Sequence, residues 1–132
     1  CLVGEGVVLC DPANAWELEL RRKRGGHLFS KHRFLSAQME SYLTDGLWLR
    51  LASHANAMGQ RLANGLRDRQ AHVPESPANM LFPEWAAGTH DRLQAAGAAY
   101  YRFPAPEGRE RARLVASWST TEADVDSFLA AF

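Results

Sequence analysis

Cysteine, lysine and long apolar runs are what this 132-residue sequence has least of, and each scarcity excludes something. Two cysteines cannot build a disulfide framework. If the opening segment is extended, nine steps of about 3.3 Å place Cys1 and Cys10 about 30 Å apart, far beyond bonding distance, so both are expected as buried thiols. No apolar stretch approaches the roughly 18 residues of a membrane span, and CLVGEGVVLC lacks the basic start and long apolar centre of a signal peptide. A cytoplasmic protein without a membrane partner is expected. Fifteen basic residues balance fifteen acidic ones, so no global field draws the chain to nucleic acid, and any electrostatic function must be local. His27, His32, His54, His72 and His90 show neither helical pairing nor a cysteine companion at ligand spacing, so no metal is expected. No Ser/His/Asp or Cys/His arrangement for nucleophilic catalysis stands out. There is no opening methionine and a buried-looking strand begins at once, which reads as a fragment.

Hydropathy and turn chemistry predict the elements that are present. Leu2 to Leu9 predicts a buried strand. Asp11 and Pro12 are an N-cap and a first helical residue, and a helix to about Arg24 follows, with Ala13, Trp16 and Leu20 on one side and Gly25-Gly26 as its stop. Ser30 is expected to cap a second helix to about Leu43, closed by Asp45-Gly46. Leu47 to about Arg67 is the longest periodic stretch, its stripe formed by Leu47, Leu51, Ala55, Met58, Leu62 and Leu66. Beyond Asp68 come shorter pieces: strands over Ala71 to Val73, Asn79 to Trp85 and Ala98 to Phe103, and a helix over Thr89 to Ala96. Another strand, Arg111 to Trp118, alternates Arg113, Val115 and Ser117 on one face with Ala112, Leu114, Ala116 and Trp118 on the other. Ser119 with Glu122, or Thr121 with Asp124, offers a capping box to a last helix with Val125, Phe128, Leu129 and Phe132 as its stripe.

Two places carry candidate chemistry. RRKRGGHLFSKHR places Arg24 and Lys31 on either side of a glycine turn and close to a helix start, a pattern suited to phosphate or carboxylate, and equally to a solvated basic helix end. The same run could serve an anion- or nucleic-acid-binding helical module, against which the zero net charge argues. Arg113, alone in an apolar strand, needs a carboxylate partner or the open end of the strand; an arginine on a solvated edge is the alternative.

GEGVVL, LWLRLASHANAMGQRLANGL and RLVASWSTTEADVDSFL together resemble the C-terminal part of the low-specificity threonine aldolases, pyridoxal-phosphate (PLP) lyases of fold type I; the resemblance is weakest between Arg67 and Pro106. It implies an α/β fold, α+β in its small domain, with residues 1–45 ending the large cofactor domain and 46–132 forming the small one. It implies cleavage of L-threonine and related β-hydroxy-α-amino acids, phenylserine among them, to glycine and an aldehyde, by a homodimer or homotetramer. Arg113 in its R-L-V-x-x-W setting would take the substrate carboxylate. Arg24 and Lys31, with Lys23 as an alternative to Arg24, would reach the cofactor phosphate. The Schiff-base lysine would lie just ahead of Cys1, so no catalytic residue is expected in this chain, which alone would be inactive.

Overall fold

The leucine stripe beyond Gly46 forms the long helix that its period predicts. In the computed structural model, which describes residues 6–28 and 30–132, this helix (α3, Leu47–Asp68) buries Ala55, Met58, Gly59, Leu62, Ala63 and Leu66 along one face. Leu66 is fully enclosed, and each such leucine stabilises the fold by roughly 1.5–3 kcal/mol. The chain divides into two compact units, Cys1–Trp48 and Leu49–Phe132.

In the first unit, Asp11 accepts a hydrogen bond from the Ala13 N–H, Pro12–Asn14 form a 3-10 turn, and α1 (Ala15–Arg24) continues from it. Its end is a Schellman closure: His27 N–H donates to the Arg22 carbonyl, Gly26 N–H to that of Lys23, and Gly26 takes φ of +76°. The second helix, α2 (Arg33–Leu43), has His32 at its cap and starts two residues later than Ser30 predicts. Lys31 intervenes with φ of +66°, a left-handed residue that helical geometry cannot include. Asp45 and Gly46, both at positive φ, close the segment as expected.

Three further expectations fail in this unit. The strand over Leu2 to Leu9 is irregular at residues 6–9, and its first part lies outside the described residues. An extended run becomes a strand only against a partner, and no described residue pairs with this one. Cys10, expected to be buried, is exposed for the same reason; Cys1 is not among the described residues. Trp16, expected on an apolar helix face, is likewise exposed, and no described residue of α1 or α2 is buried.

The second unit owns the core. Its central strand is β4 (Arg109–Val115). Along one edge run β1 (Met80–Leu81) and β2 (Glu84–Ala86), and along the other runs β3 (Tyr101–Phe103), all antiparallel. The single strand expected from Asn79 to Trp85 is thus two pieces parted at Pro83, which has no N–H for the ladder but still accepts from Ala112 through its carbonyl. Ala71 to Val73 contributes only an isolated bridge, His72 to Glu84.

Ala112, Leu114 and Ala116 face inward, as the alternation predicts, and meet Leu66, Trp85, Leu93 and Val125 in one cluster. Alpha-helix α4 (Thr89–Ala95) adds Leu93 to this cluster, and the last helix, α5 (Glu122–Ala131), adds Val125 and Leu129. Of the two cap candidates, Thr121 and Asp124 form the box. Arg61 on α3 ties α3 to α5 through Asp126: its Nη2 donates to both carboxylate oxygens at 3.0 Å and its Nε to Oδ1 at 3.2 Å. Helix α3 carries Gly65 where α5 comes closest: a Cβ there would lie 2.3 Å from Leu129 Cδ1, which explains a glycine inside a helix that otherwise disfavours it. The unit is α+β.

Candidate functional site

Beta-strand β3 parts from β4 at the pair Tyr101–Arg113, and beyond Arg113 no described strand pairs with that edge of the central strand. An open cleft of about 330 Å³ occupies the gap, walled by Tyr100, Tyr101, Arg113, Val115, Asp124 and Phe128. Its polar contents decide what it can hold.

Two arginines on the same face of β4 are treated differently. Arg111 has a carboxylate: its Nε–H donates to Glu84 Oε1 at 2.7 Å, a second bond joins the same pair, and this contact holds the Glu84 carboxyl below the usual glutamate range. Arg113 has none among the described residues; its Nε is buried without a hydrogen-bond partner. Its guanidinium instead lies over the Tyr101 ring, 4.4 Å from the centroid. Asp124, the one carboxylate on the cleft wall, is already committed. It accepts from the Thr121 N–H at 2.8 Å and hydroxyl at 2.7 Å, bonds that keep its carboxyl below the ordinary aspartate range. What is left is a half-buried arginine whose guanidinium lies over an aromatic ring, at the point where β3 leaves the strand. Such a fork matches a carboxylate or phosphate. Of the two placements expected for Arg113, the structure shows neither: no described carboxylate pairs with it, and it lies two residues before the end of β4, at the last pair with β3.

Behind the cleft lies a group that sequence patterning did not single out. Tyr100 shares a hydrogen bond of 2.9 Å with Nδ1 of buried His90, and Trp85 meets both rings edge-on. The Glu110 carboxylate accepts from the N–H groups of Gly88 at 2.9 Å and His90 at 2.7 Å, so it caps α4 from the neighbouring strand. Partial burial pushes the Glu110 carboxyl up, but these two N–H donors, His90 and the nearby Trp85 edge outweigh it and bring it below the usual glutamate range. Trp85 Nε1 nonetheless makes no hydrogen bond of ordinary geometry. The one available signal was Gly88-Thr89-His90 as a helix start without a side-chain cap of its own; that a residue twenty positions away supplies the cap is a tertiary fact.

A carboxyl with a lowered folded pKa contributes stability that is fully present above its unfolded pKa, about 4.3, and is lost as the pH falls through the folded value. Glu110→Gln should therefore cost about 1–3 kcal/mol at pH 7. In the full-length protein the gap between wild type and variant should shrink as unfolding is measured from pH 6 down to pH 3. A gap that stays constant would mean that the charge on Glu110 contributes nothing.

The segment after β4 is tied down by His54, whose Nε2 bonds the Thr120 carbonyl at 2.7 Å, and by Thr120 Oγ1, which accepts from the Ser117 N–H at 2.8 Å. His54 is therefore a structural residue on α3. Trp118, expected on the buried face of β4, is 66% exposed instead. The strand stops at Val115 and the chain turns through Ser117 to Thr120, so alternation no longer fixes its direction.

The basic run lies in the first unit and Arg113 in the second. Arg24 is three-quarters exposed and stands 3.9 Å from Glu17, whose carboxylate is already bonded to Arg21 at 2.7 Å. Lys31 is exposed too. The N–H groups of Gly25, Gly26 and His27 all donate back into α1, so this glycine turn is a helix closure and its backbone does not face an anion; any anion here would be held by side chains. Among the described residues no group of three His, Cys, Asp or Glu side chains could hold a metal ion, and no helix is long and apolar enough to cross a membrane.

No family model matches the chain. Two proteins called low specificity L-threonine aldolase do. One, from a Pseudomonas strain, is 36% identical over 125 residues, covering 93% of this chain and 35% of that protein. Another, from Pseudomonas aeruginosa, is 34% identical over 120 residues, covering 89% and 34%. Among solved structures, the threonine aldolase of Leishmania major superposes with a TM-score of 0.79 at 30% identity, covering 91% of this chain and 34% of that one. A serine palmitoyltransferase from Sphingomonas wittichii superposes with a TM-score of 0.51 at 18% identity, covering 60% and 22%, which speaks for the fold alone. The chain thus spans about a third of the length of the relatives it matches, and its fold is one found in fold type I enzymes.

Proposed function

Because the chain is a relative of the low-specificity L-threonine aldolases over nine-tenths of its length, we propose that it forms the C-terminal part of a PLP-dependent enzyme. That enzyme cleaves L-threonine and related β-hydroxy-α-amino acids, phenylserine included, to glycine and an aldehyde. Residues 1–45 would complete the cofactor domain and 46–132 the small domain, in a cytoplasmic homo-oligomer. The observation that carries this reading is Arg113: a guanidinium with no carboxylate of its own, stacked on Tyr101 in an open cleft.

Arg113 binds the α-carboxylate through both arms of its fork, and with the carboxylate fixed the Cα–Cβ bond of the substrate is held in one orientation. PLP, when bound, supplies the electron sink that carbon–carbon cleavage needs. Arg24 and Lys31, or Lys23 in place of Arg24, would neutralise its phosphate by side chains alone, which suits two exposed cations beside a turn whose N–H groups are used. Val115, Tyr100 and Phe128 make the cleft wall largely apolar beside the carboxylate site, which lowers the local dielectric around the ion pair. The lysine that bonds the cofactor would lie ahead of Cys1, and the 132 residues alone would be inactive.

The experiment is product analysis of the full-length protein with added PLP and L-threonine. Glycine and acetaldehyde in equal amounts are expected. Ammonia and a 2-oxo acid instead, or no turnover with any β-hydroxy-α-amino acid, would overturn the reading.

A further inference from the structure

We infer that Tyr101 is a positioning residue: its ring is the platform that presets the Arg113 guanidinium for a carboxylate, an inference that rests on the function proposed above. Three observations lead to it. Tyr101 and Arg113 are direct partners across the antiparallel pair of β3 and β4, so their side chains rise from the same face of the sheet. The guanidinium centre stands 4.4 Å from the ring centroid, well inside the range of cation–π attraction. Arg113 Nε is buried with no acceptor, so no hydrogen bond on that atom sets the plane of the fork.

In most arginine sites a carboxylate of the protein fixes the guanidinium, and that anchor competes with the ligand for the same donors. Arg111, two residues away, has such an anchor in Glu84. A ring fixes the plane from its face and leaves the edge, where the N–H donors are, free for the incoming carboxylate. It also lowers the rotamer freedom that the arginine would otherwise lose on binding. The ring is itself 66% exposed, so it is not there to fill the core. Its hydroxyl is not needed for this role, and phenylalanine should do as well.

The test uses the full-length holoenzyme and calorimetric binding of two small ligands, glycine and glycinamide. They share the amine and differ in the carboxylate, so the ratio of their affinities reads the carboxylate contact alone. Tyr101→Leu should narrow that ratio by about two- to fivefold, the scale of an exposed cation–π contact. Tyr101→Phe should keep it, and neither change should alter the affinity for PLP. Arg113→Gln should abolish the preference altogether. If Arg113→Gln abolishes it and Tyr101→Leu leaves it intact, the platform role is wrong while the carboxylate site stands. If Arg113→Gln leaves the preference intact, the carboxylate site itself is wrong. A ratio lost equally in Tyr101→Phe would assign the effect to the hydroxyl and overturn the inference.

Discussion

Replacing Arg113 with lysine in the full-length protein is expected to lower kcat/KM for L-threonine by about tenfold to about a hundredfold, the cost of one charge-assisted hydrogen bond. The charge survives this substitution, so the loss measures geometry. Lysine carries a point charge on a flexible stem and cannot offer two parallel donors, nor does its ammonium have the planar face of the guanidinium that lies over Tyr101. KM should rise because the carboxylate is held by fewer bonds. The turnover number should fall as well, because a substrate free to tilt spends less time with its scissile bond aligned. The affinity for PLP should not change, since the residues assigned to the phosphate are elsewhere in the sequence. Unchanged steady-state kinetics would reduce Arg113 to a surface arginine that happens to stack on a tyrosine. Loss of PLP with a normal unfolding midpoint would assign it to the cofactor.

Trp85→Ala is expected to have the largest effect on stability, about 3–5 kcal/mol. The indole is 2% exposed and meets His90, Tyr100 and Phe132 with ring centroids between 5.4 and 6.0 Å. Removing it leaves a cavity beside His90 and Tyr100, whose mutual hydrogen bond restrains them from closing in. Tyr100 would lose its support, and it is a wall of the Arg113 cleft, so a rise in KM should accompany the lost stability. Trp85→Phe should cost much less, because the smaller ring keeps most of the edge contacts and removes a buried N–H that has no hydrogen bond. Chemical unfolding of the three proteins at one pH checks this. Equal losses for alanine and phenylalanine would mean that the indole N–H, and not the ring, is what the core requires.

The elements easiest to read in the sequence are those governed by local rules. The 3.6-residue stripe of α3, the alternation of Ala112, Leu114 and Ala116, the Thr121–Asp124 box and the left-handed Gly26 each depend on a few neighbouring residues. Where a partner distant in sequence decides, local reading fails. Leu2 to Leu9 has the composition of a strand, but no described residue pairs with its visible part. Ser30 has the chemistry of a cap, but Lys31 turns left-handed before any helix can start. Pro83 interrupts a run whose hydropathy looks continuous.

The site divides in the same way. Arg113 reads in sequence as a lone charge in an apolar strand, although β4 also carries Arg109, Glu110 and Arg111; what sets it apart is that it has no described carboxylate, which Arg111 has in Glu84. Its platform was not visible, since Tyr101 lies twelve positions earlier in sequence and only the register of β3 on β4 brings the two together. Nor could periodicity show that Glu110 caps α4, or that His90 bonds Tyr100 behind the cleft. The glycine pair was visible and its chemistry was ambiguous: the same Gly25-Gly26 turn that could cradle an anion closes α1 with its own N–H groups.

The central claim is that Arg113 receives the substrate carboxylate, and the most direct measurement is a crystal structure of the full-length protein with PLP and glycine bound. Both arms of the Arg113 guanidinium should lie about 2.7–2.9 Å from the two glycine carboxylate oxygens, with the guanidinium still over the Tyr101 ring. A glycine carboxylate held by other residues, with Arg113 making no contact to it, would contradict the account.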